Sequence, residues 1–175
     1  MRFVPLEIPG AFLVKRLPSR DERGSFARSF CAAEFAAHGL DPRVAQCSFS
    51  HNPRRGTLRG MHYQEAPHEE AKLVCCLRGG LHDVIVDLRP GSPALRRWVA
   101  VPLSADDDRS LYVPPGCAHG FLTLQDDTLV LYQMSTPYVP GVARGVRWDD
   151  PALGIDWPAR PSLVSKADSA YPLLA

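Results

Sequence analysis

The chain has no apolar run of the ~18 residues that a membrane-spanning helix needs. It also lacks any surplus of charge. Its 20 basic and 19 acidic side chains leave a net +1, too small a field to gather nucleic acid or an anionic bilayer. No repeat, low-complexity tract or linker-like stretch interrupts it. The five cysteines (Cys31, Cys47, Cys75, Cys76 and Cys117) are odd in number and contain no CxxC spacing, which points away from zinc or redox chemistry. All five are read as reduced thiols of a cytoplasmic protein, and strand alternation sends the vicinal Cys75 and Cys76 to opposite faces. The first residues, MRFVPLEIPGAFLVKRL, carry charges and two prolines where a signal peptide needs an apolar centre. Long helices are excluded as well. Seventeen prolines and thirteen glycines punctuate the 175 residues, and proline both ends helices and removes a backbone donor.

Hydrophobic residues at 45 % and charged residues at 22 % describe an ordinary globule, and the length suits one domain over residues 1–175. The middle of the chain is a succession of short alternating segments at 73–77, 82–88, 98–103, 110–113, 120–124 and 128–134. Turn chemistry separates them: Arg78-Gly79-Gly80, Pro90-Gly91-Ser92-Pro93, the polar stretch 104–109, Pro114-Pro115-Gly116 and Asp126-Asp127. Further strands are expected at 3–8, 12–17 and 25–30. One helix is expected over 32–38, with Gly39 as its stop and Phe35 facing inward. The tail after Trp148 reads as loops wrapped on the core. Short strands without intervening helical patterns predict an all-β fold, a jelly roll of antiparallel strands with a few short helices.

The densest polar stretch is Leu58-Arg59-Gly60-Met61-His62-Tyr63-Gln64, where period-two alternation turns His62 and Gln64 to one side. Lys72 opens an apolar strand and needs a partner or a role there. His119 stands just after the Pro114-Pro115-Gly116 turn. Tyr132 alternates with Val130 and Met134 on an interior face, with a hydroxyl to satisfy. Each has a structural alternative: a bonded strand-end histidine, a packed tyrosine, a snorkelling lysine, a surface arginine. His38, His51 (in a turn) and His68 are read as solvated, and Trp98, Trp148 and Trp157 as packing or interface residues. Spacing alone reaches a small β-barrel with a polar pocket.

Several motifs then carry a resemblance. Arg20-Asp21-Glu22-Arg23-Gly24, the LRGMHYQ stretch 58–64, Lys72-Leu73-Val74, Asp83 to Arg89, Pro115 to Phe121, Trp148-Asp149-Asp150-Pro151 and Ser165-Lys166-Ala167-Asp168 run in order along nearly the whole chain. Together they resemble the dTDP-4-dehydrorhamnose 3,5-epimerase family. That resemblance implies a cupin-type jelly roll, a homodimer, a nucleotide-linked 4-keto-6-deoxyhexose as substrate, and no metal or organic cofactor. It further implies His62 as general base, Tyr132 as the acid on the opposite face, Asp168 as the carboxylate orienting His62, and Lys72 and His119 as donors near the enolate. Arg59 and Arg23 match phosphate or sugar contacts, Tyr138 matches the residue that stacks on the base, and Gln46, Ser48 and Gln64 fall among the substrate-binding positions. Arg28, Cys47, Ser48 and Ala143 depart from the family pattern, which leaves open the identity of the nucleotide sugar and whether C3, C5 or both are inverted. Two rival readings remain. One is a metal-dependent cupin using His62, His119 and Glu69 or Glu70; the other is a non-catalytic sugar-nucleotide binding module on the same fold.

Overall fold

A computed structural model describes residues 1–174. The chain begins with β1 (Arg2–Pro5) and β2 (Phe12–Lys15), puts out a hairpin of β3 (Ser19–Asp21) and β4 (Gly24–Phe26), and forms one short helix, α1 (Ala32–Ala37). Then come β5 (Gln46–Asn52), β6 (Thr57–Gln64), β7 (Lys72–Arg78), β8 (Gly80–Asp87) and β9 (Trp98–Ser104). They are followed by β10 (Arg109–Val113), β11 (Cys117–Thr123) and β12 (Thr128–Met134). The tail adds β13 (Ala143–Gly145), β14 (Leu163–Val164) and α2 (Lys166–Ser169). One sheet runs β1-β2-β10-β7-β12-β5 and the other β13-β6-β11-β8-β9, all antiparallel, with β14 added parallel to β6. The expected antiparallel sandwich is therefore present.

Alternation explains the layers. Val74 and Cys76 of β7, Leu111 of β10 and Val130 of β12 turn inward to meet Ile85, Leu103 and Phe121 of the facing sheet. Cys75, one residue away, faces outward, where Arg16 Nη1 donates to its Sγ at 3.1 Å. The outer face of the first sheet is covered by α1. Its Phe35 is fully buried against the rings of Phe3, Phe30 and Tyr112, a burial worth about 2–3 kcal/mol. The helix stops as expected at Gly39, whose φ of +71° suits a residue without a Cβ. The outer face of the second sheet is covered by the tail, through Leu153, Ile155 and Trp157 packed near Val84 and Val86. β8 and β11, interior strands of the second sheet, are buried on both faces nearly throughout, their polar residues included.

Three expectations are corrected. β11 starts at Cys117, so His119 sits within the strand rather than just past the turn. The strand expected at 25–30 ends at Phe26, because Phe30 leaves to pack on Phe35. His51 lies on β5, not in a turn, and bonds Asp127.

Candidate active site

Where inward-facing residues change from apolar to polar, the sheets part around a cavity of about 570 Å³. The second sheet contributes Arg59, His62 and Gln64 from β6 and His119 from β11. The first contributes Gln46 and Ser48 from β5, Lys72 from β7 and Tyr132 from β12. Tyr138, 58 % exposed, stands at the mouth. Of the expected residues only Asp168 and Arg23 do not line this space.

Asp168 lies directly behind it. His62 Nε2 and Asp168 Oδ1 are 2.8 Å apart, so Nε2–H donates to the carboxylate and Nδ1 is left as the basic nitrogen. A β-bulge makes this contact available. His62 pairs with His119 and Arg59 with Phe121, so Gly60 and Met61 on β6 face Gly120 alone on β11. The extra residue lets Arg59 and His62, three apart, share the cavity wall, and it turns the Gly60 N–H onto Asp168 Oδ2 at 3.1 Å. A Cβ on Gly60 would lie 2.5 Å from Gly120 Cα, so the crossing requires glycine. The tail delivers the carboxylate by pairing β14 with β6 and capping α2, where Ser165 Oγ accepts from Asp168 N–H at 2.9 Å. Burial opposes ionisation of Asp168, but the bonds from His62, Gly60 and Ser165 outweigh it and hold the carboxyl below its ordinary range.

The other polar residues have partners as well. Lys72 Nζ donates to Glu70 Oε1 at 3.0 Å and to the His62 carbonyl at 3.1 Å. His119 Nε2 meets Asp83 Oδ1 at 2.6 Å in a fully buried pair. Tyr132 lies edge-on to His119, with ring centroids 6.0 Å apart. Burial pushes its phenol well above the ordinary range, so it remains a neutral donor. Arg59 Nε is anchored on Asn52 Oδ1 at 2.7 Å. Two residues expected to touch substrate have their amides engaged in holding the mouth. Gln64 donates to the carbonyls of His68 and Pro137 and accepts from Val139 N–H, while Gln46 accepts from Tyr138 N–H.

Arg23 is elsewhere. It sits on the exposed β3–β4 hairpin, whose strands pair only with each other, and is bonded to Asp21 at 2.6 Å. Among the departures from the family pattern, Ser48 and Ala143 line the cavity, whereas Cys47 is exposed and Arg28 pairs with Glu34. Burial pushes the Cys76 thiol up to about 11 and the Cys117 thiol up to about 12, so both stay protonated.

Three site residues were missed in the sequence: Asp83, Glu70 in its pairing with Lys72, and Tyr171. The Tyr171 ring stands edge-on to His62 at 5.8 Å and lies so close over Gly145 that a Cβ there would be 2.4 Å from it. The detectable signal was an acid inside an apolar strand, which demands a buried partner. The histidines of the half-formed cupin metal motif are bonded to Asp168 and Asp83. Among the described residues no three His, Cys, Asp or Glu side chains gather as a metal-holding group.

Residues 5–175 match the family model for dTDP-4-dehydrorhamnose 3,5-epimerase. A dTDP-4-dehydrorhamnose 3,5-epimerase from Sinorhizobium fredii is 41 % identical over 175 residues, covering 99 % of this chain and 90 % of its own. The crystal structure of dTDP-4-dehydrorhamnose 3,5-epimerase from Bacillus anthracis with TDP and PPi bound matches with a TM-score of 0.95 at 36 % identity, over 99 % of each chain. That of ChmJ, a 3'-monoepimerase from Streptomyces bikiniensis in complex with dTDP-quinovose, matches with a TM-score of 0.89 at 38 % identity, over 97 % of this chain and 86 % of that one.

Proposed function

The chain belongs to the dTDP-4-dehydrorhamnose 3,5-epimerase family and is an epimerase, and from that premise we propose that His62, Asp168, Lys72 and Tyr132 carry its proton transfers. The substrate is dTDP-4-dehydro-6-deoxy-D-glucose and the product dTDP-4-dehydro-L-rhamnose. A hydrogen on carbon beside a ketone is acidic because its anion delocalises onto the carbonyl oxygen. His62 Nδ1 removes it, and the ionised Asp168 stabilises the imidazolium that forms. Lys72, with one N–H remaining beyond its bonds to Glu70 and His62, places fixed positive charge where the enolate oxygen becomes negative. His119, whose Nε2 is held by Asp83, also lines the cavity and is assigned to the polar surround of that oxygen. Inversion then needs a proton from the other face of the ring, which Tyr132 supplies.

The observation that carries this reading is the placement of base and acid on facing walls of one cavity. His62 belongs to the second sheet and Tyr132 to the first, so a ring between them meets one on each side. Arg59 is assigned to the diphosphate and Tyr138 to stacking on the base at the mouth. The unpaired thiols suit the cytoplasm, and none of the described helices is long and apolar enough to cross a membrane. The working unit is a homodimer in which the β3–β4 hairpin serves the partner, a reading supported by the displacement of Arg23 from its own cavity.

The deciding test is proton NMR in heavy water with dTDP-4-dehydro-6-deoxy-D-glucose, comparing wild type with His62→Ala and Tyr132→Phe. Loss of both the C3 and C5 signals, abolished in His62→Ala, is the expected result. Loss at one carbon makes the protein a monofunctional epimerase, the activity named for ChmJ. No exchange at either carbon overturns this substrate assignment.

A further inference from the structure

We propose that Glu70 recognises the hydroxyl at C3 of the hexose and thereby fixes which way round the ring lies in the cavity. The inference rests on the reaction proposed above. The Glu70 side chain lines the cavity yet is only 7 % exposed. Its Oε1 accepts from Lys72, but its Oε2 is buried without a hydrogen-bond partner. A buried carboxylate oxygen in that condition is destabilising until a donor reaches it.

Beside it, Lys72 Nζ donates to Glu70 and to the His62 carbonyl, which leaves its third N–H. The wall therefore presents one donor and one acceptor side by side. The complementary ligand group is an acceptor flanked by a donor, which is an α-hydroxyketone. In the 4-keto-6-deoxyhexose the C4 oxygen has the C3 hydroxyl on one side. On the other it has only C5, with its methyl group and the ring oxygen, neither of which donates. Bound with the C3 hydroxyl toward Glu70, the ring satisfies both groups. Bound the other way round, it leaves Oε2 buried and unpaired.

This arrangement acts unequally on the two carbons. Removing the C3 proton flattens C3 and brings its hydroxyl into the plane of the developing C4 oxyanion, where Lys72 and Glu70 hold both atoms at once. Removing the C5 proton creates no such pair. Glu70 thus stabilises the transition state at C3 more than that at C5.

The test uses Glu70→Gln, which preserves size and the oxygen that accepts from Lys72, together with a 3-deoxy analogue of the sugar nucleotide. Exchange in heavy water should slow at C3 by about tenfold to a hundredfold in Glu70→Gln, the range for a hydrogen bond to a charged group, with little change at C5. Equal slowing at both carbons would mean that Glu70 acts only through Lys72, and would overturn the proposal, as would no slowing at all. Calorimetric binding supplies a second arm, whose wild-type comparison does not depend on the variant's folding. Wild type should bind the 3-deoxy analogue at least about tenfold more weakly than the parent sugar, and Glu70→Gln should bind the two alike. Equal binding of both by wild type overturns the proposal. If wild type exchanges neither proton, the reaction assignment falls while the binding arm still decides the role of Glu70.

Discussion

In the reaction proposed above, His62 serves as base beside an ionised Asp168, whose carboxylate accepts from His62 Nε2–H and from the Gly60 N–H. Asp168→Asn should lower kcat about a hundredfold or more, with KM little changed, since it removes the charge that stabilises the imidazolium rather than a substrate contact. A defect confined to KM in the exchange assay would assign Asp168 to binding instead. The same carboxylate contributes to stability with a definite sign. Folding lowers its pKa below the ordinary 3.8, so the contribution is present above that value and is lost as pH falls through the folded pKa. Asp168→Asn should therefore be less stable than wild type in urea at neutral pH, and the difference should shrink as the pH is lowered below 3.8 and Asp168 takes up its proton. His62, Lys72 and Tyr132 were legible in the sequence because each is a polar side chain with a direction set by strand alternation. Glu70 beside Lys72, Tyr171 beside His62 and Asp83 behind His119 were not. Which acid meets which base depends on pairing between strands far apart in the chain, as when His119 of β11 reaches Asp83 of β8.

At the scale of the element, the bulge between β6 and β11 turns a regular ladder into a site. Period-two alternation puts His62 and Gln64 on one side, and both do line the cavity, but it cannot bring Arg59 there from three residues away. The irregularity comes from two glycines that meet across the sheet, a fact of pairing that neither segment shows alone. A Cβ on Gly120 would lie 2.6 Å from Met61 Sδ and 2.8 Å from the Arg59 carbonyl oxygen. Gly120→Ala should accordingly lower Tm by about 4 °C or more and reduce exchange as Asp168 loses its register with His62. Gly80→Ala is the matched control, because its Cβ would meet nothing nearer than 3.5 Å. Calorimetric melting of the two variants checks this, and equal Tm values would remove the strain argument. The strand cores themselves were readable within a few residues. The ends were not, since Phe30 and Ile8 leave their strands to fill hydrophobic clusters formed by other elements.

For the molecule as a whole, the two facing sheets put His62 and Tyr132 on opposite walls of one cavity, which is what the proposed base and acid need to approach a ring from opposite sides, and one chain supplies both. It does not supply everything the motif predicts. Arg23 is 84 % exposed on a hairpin that touches no part of the cavity, beside Phe26, which is 81 % exposed. Phe26 on this hairpin, together with the exposed Leu17 and Phe49, gives the proposed dimer an apolar surface for a second copy to cover. If Arg23 acts in the partner's cavity, Arg23→Ala and His62→Ala chains are each defective alone but complementary together. A mixed dimer then has one cavity with both residues intact and one with neither. Subunit exchange at equal concentrations makes about half the dimers mixed, so about a quarter of wild-type exchange activity should return. If Arg23 acted within its own chain, no mixed dimer would hold an intact site and mixing would restore nothing. Sedimentation of the mixture separates these outcomes from simple failure to associate, because a dimer that forms without recovering activity places Arg23 outside the partner's site.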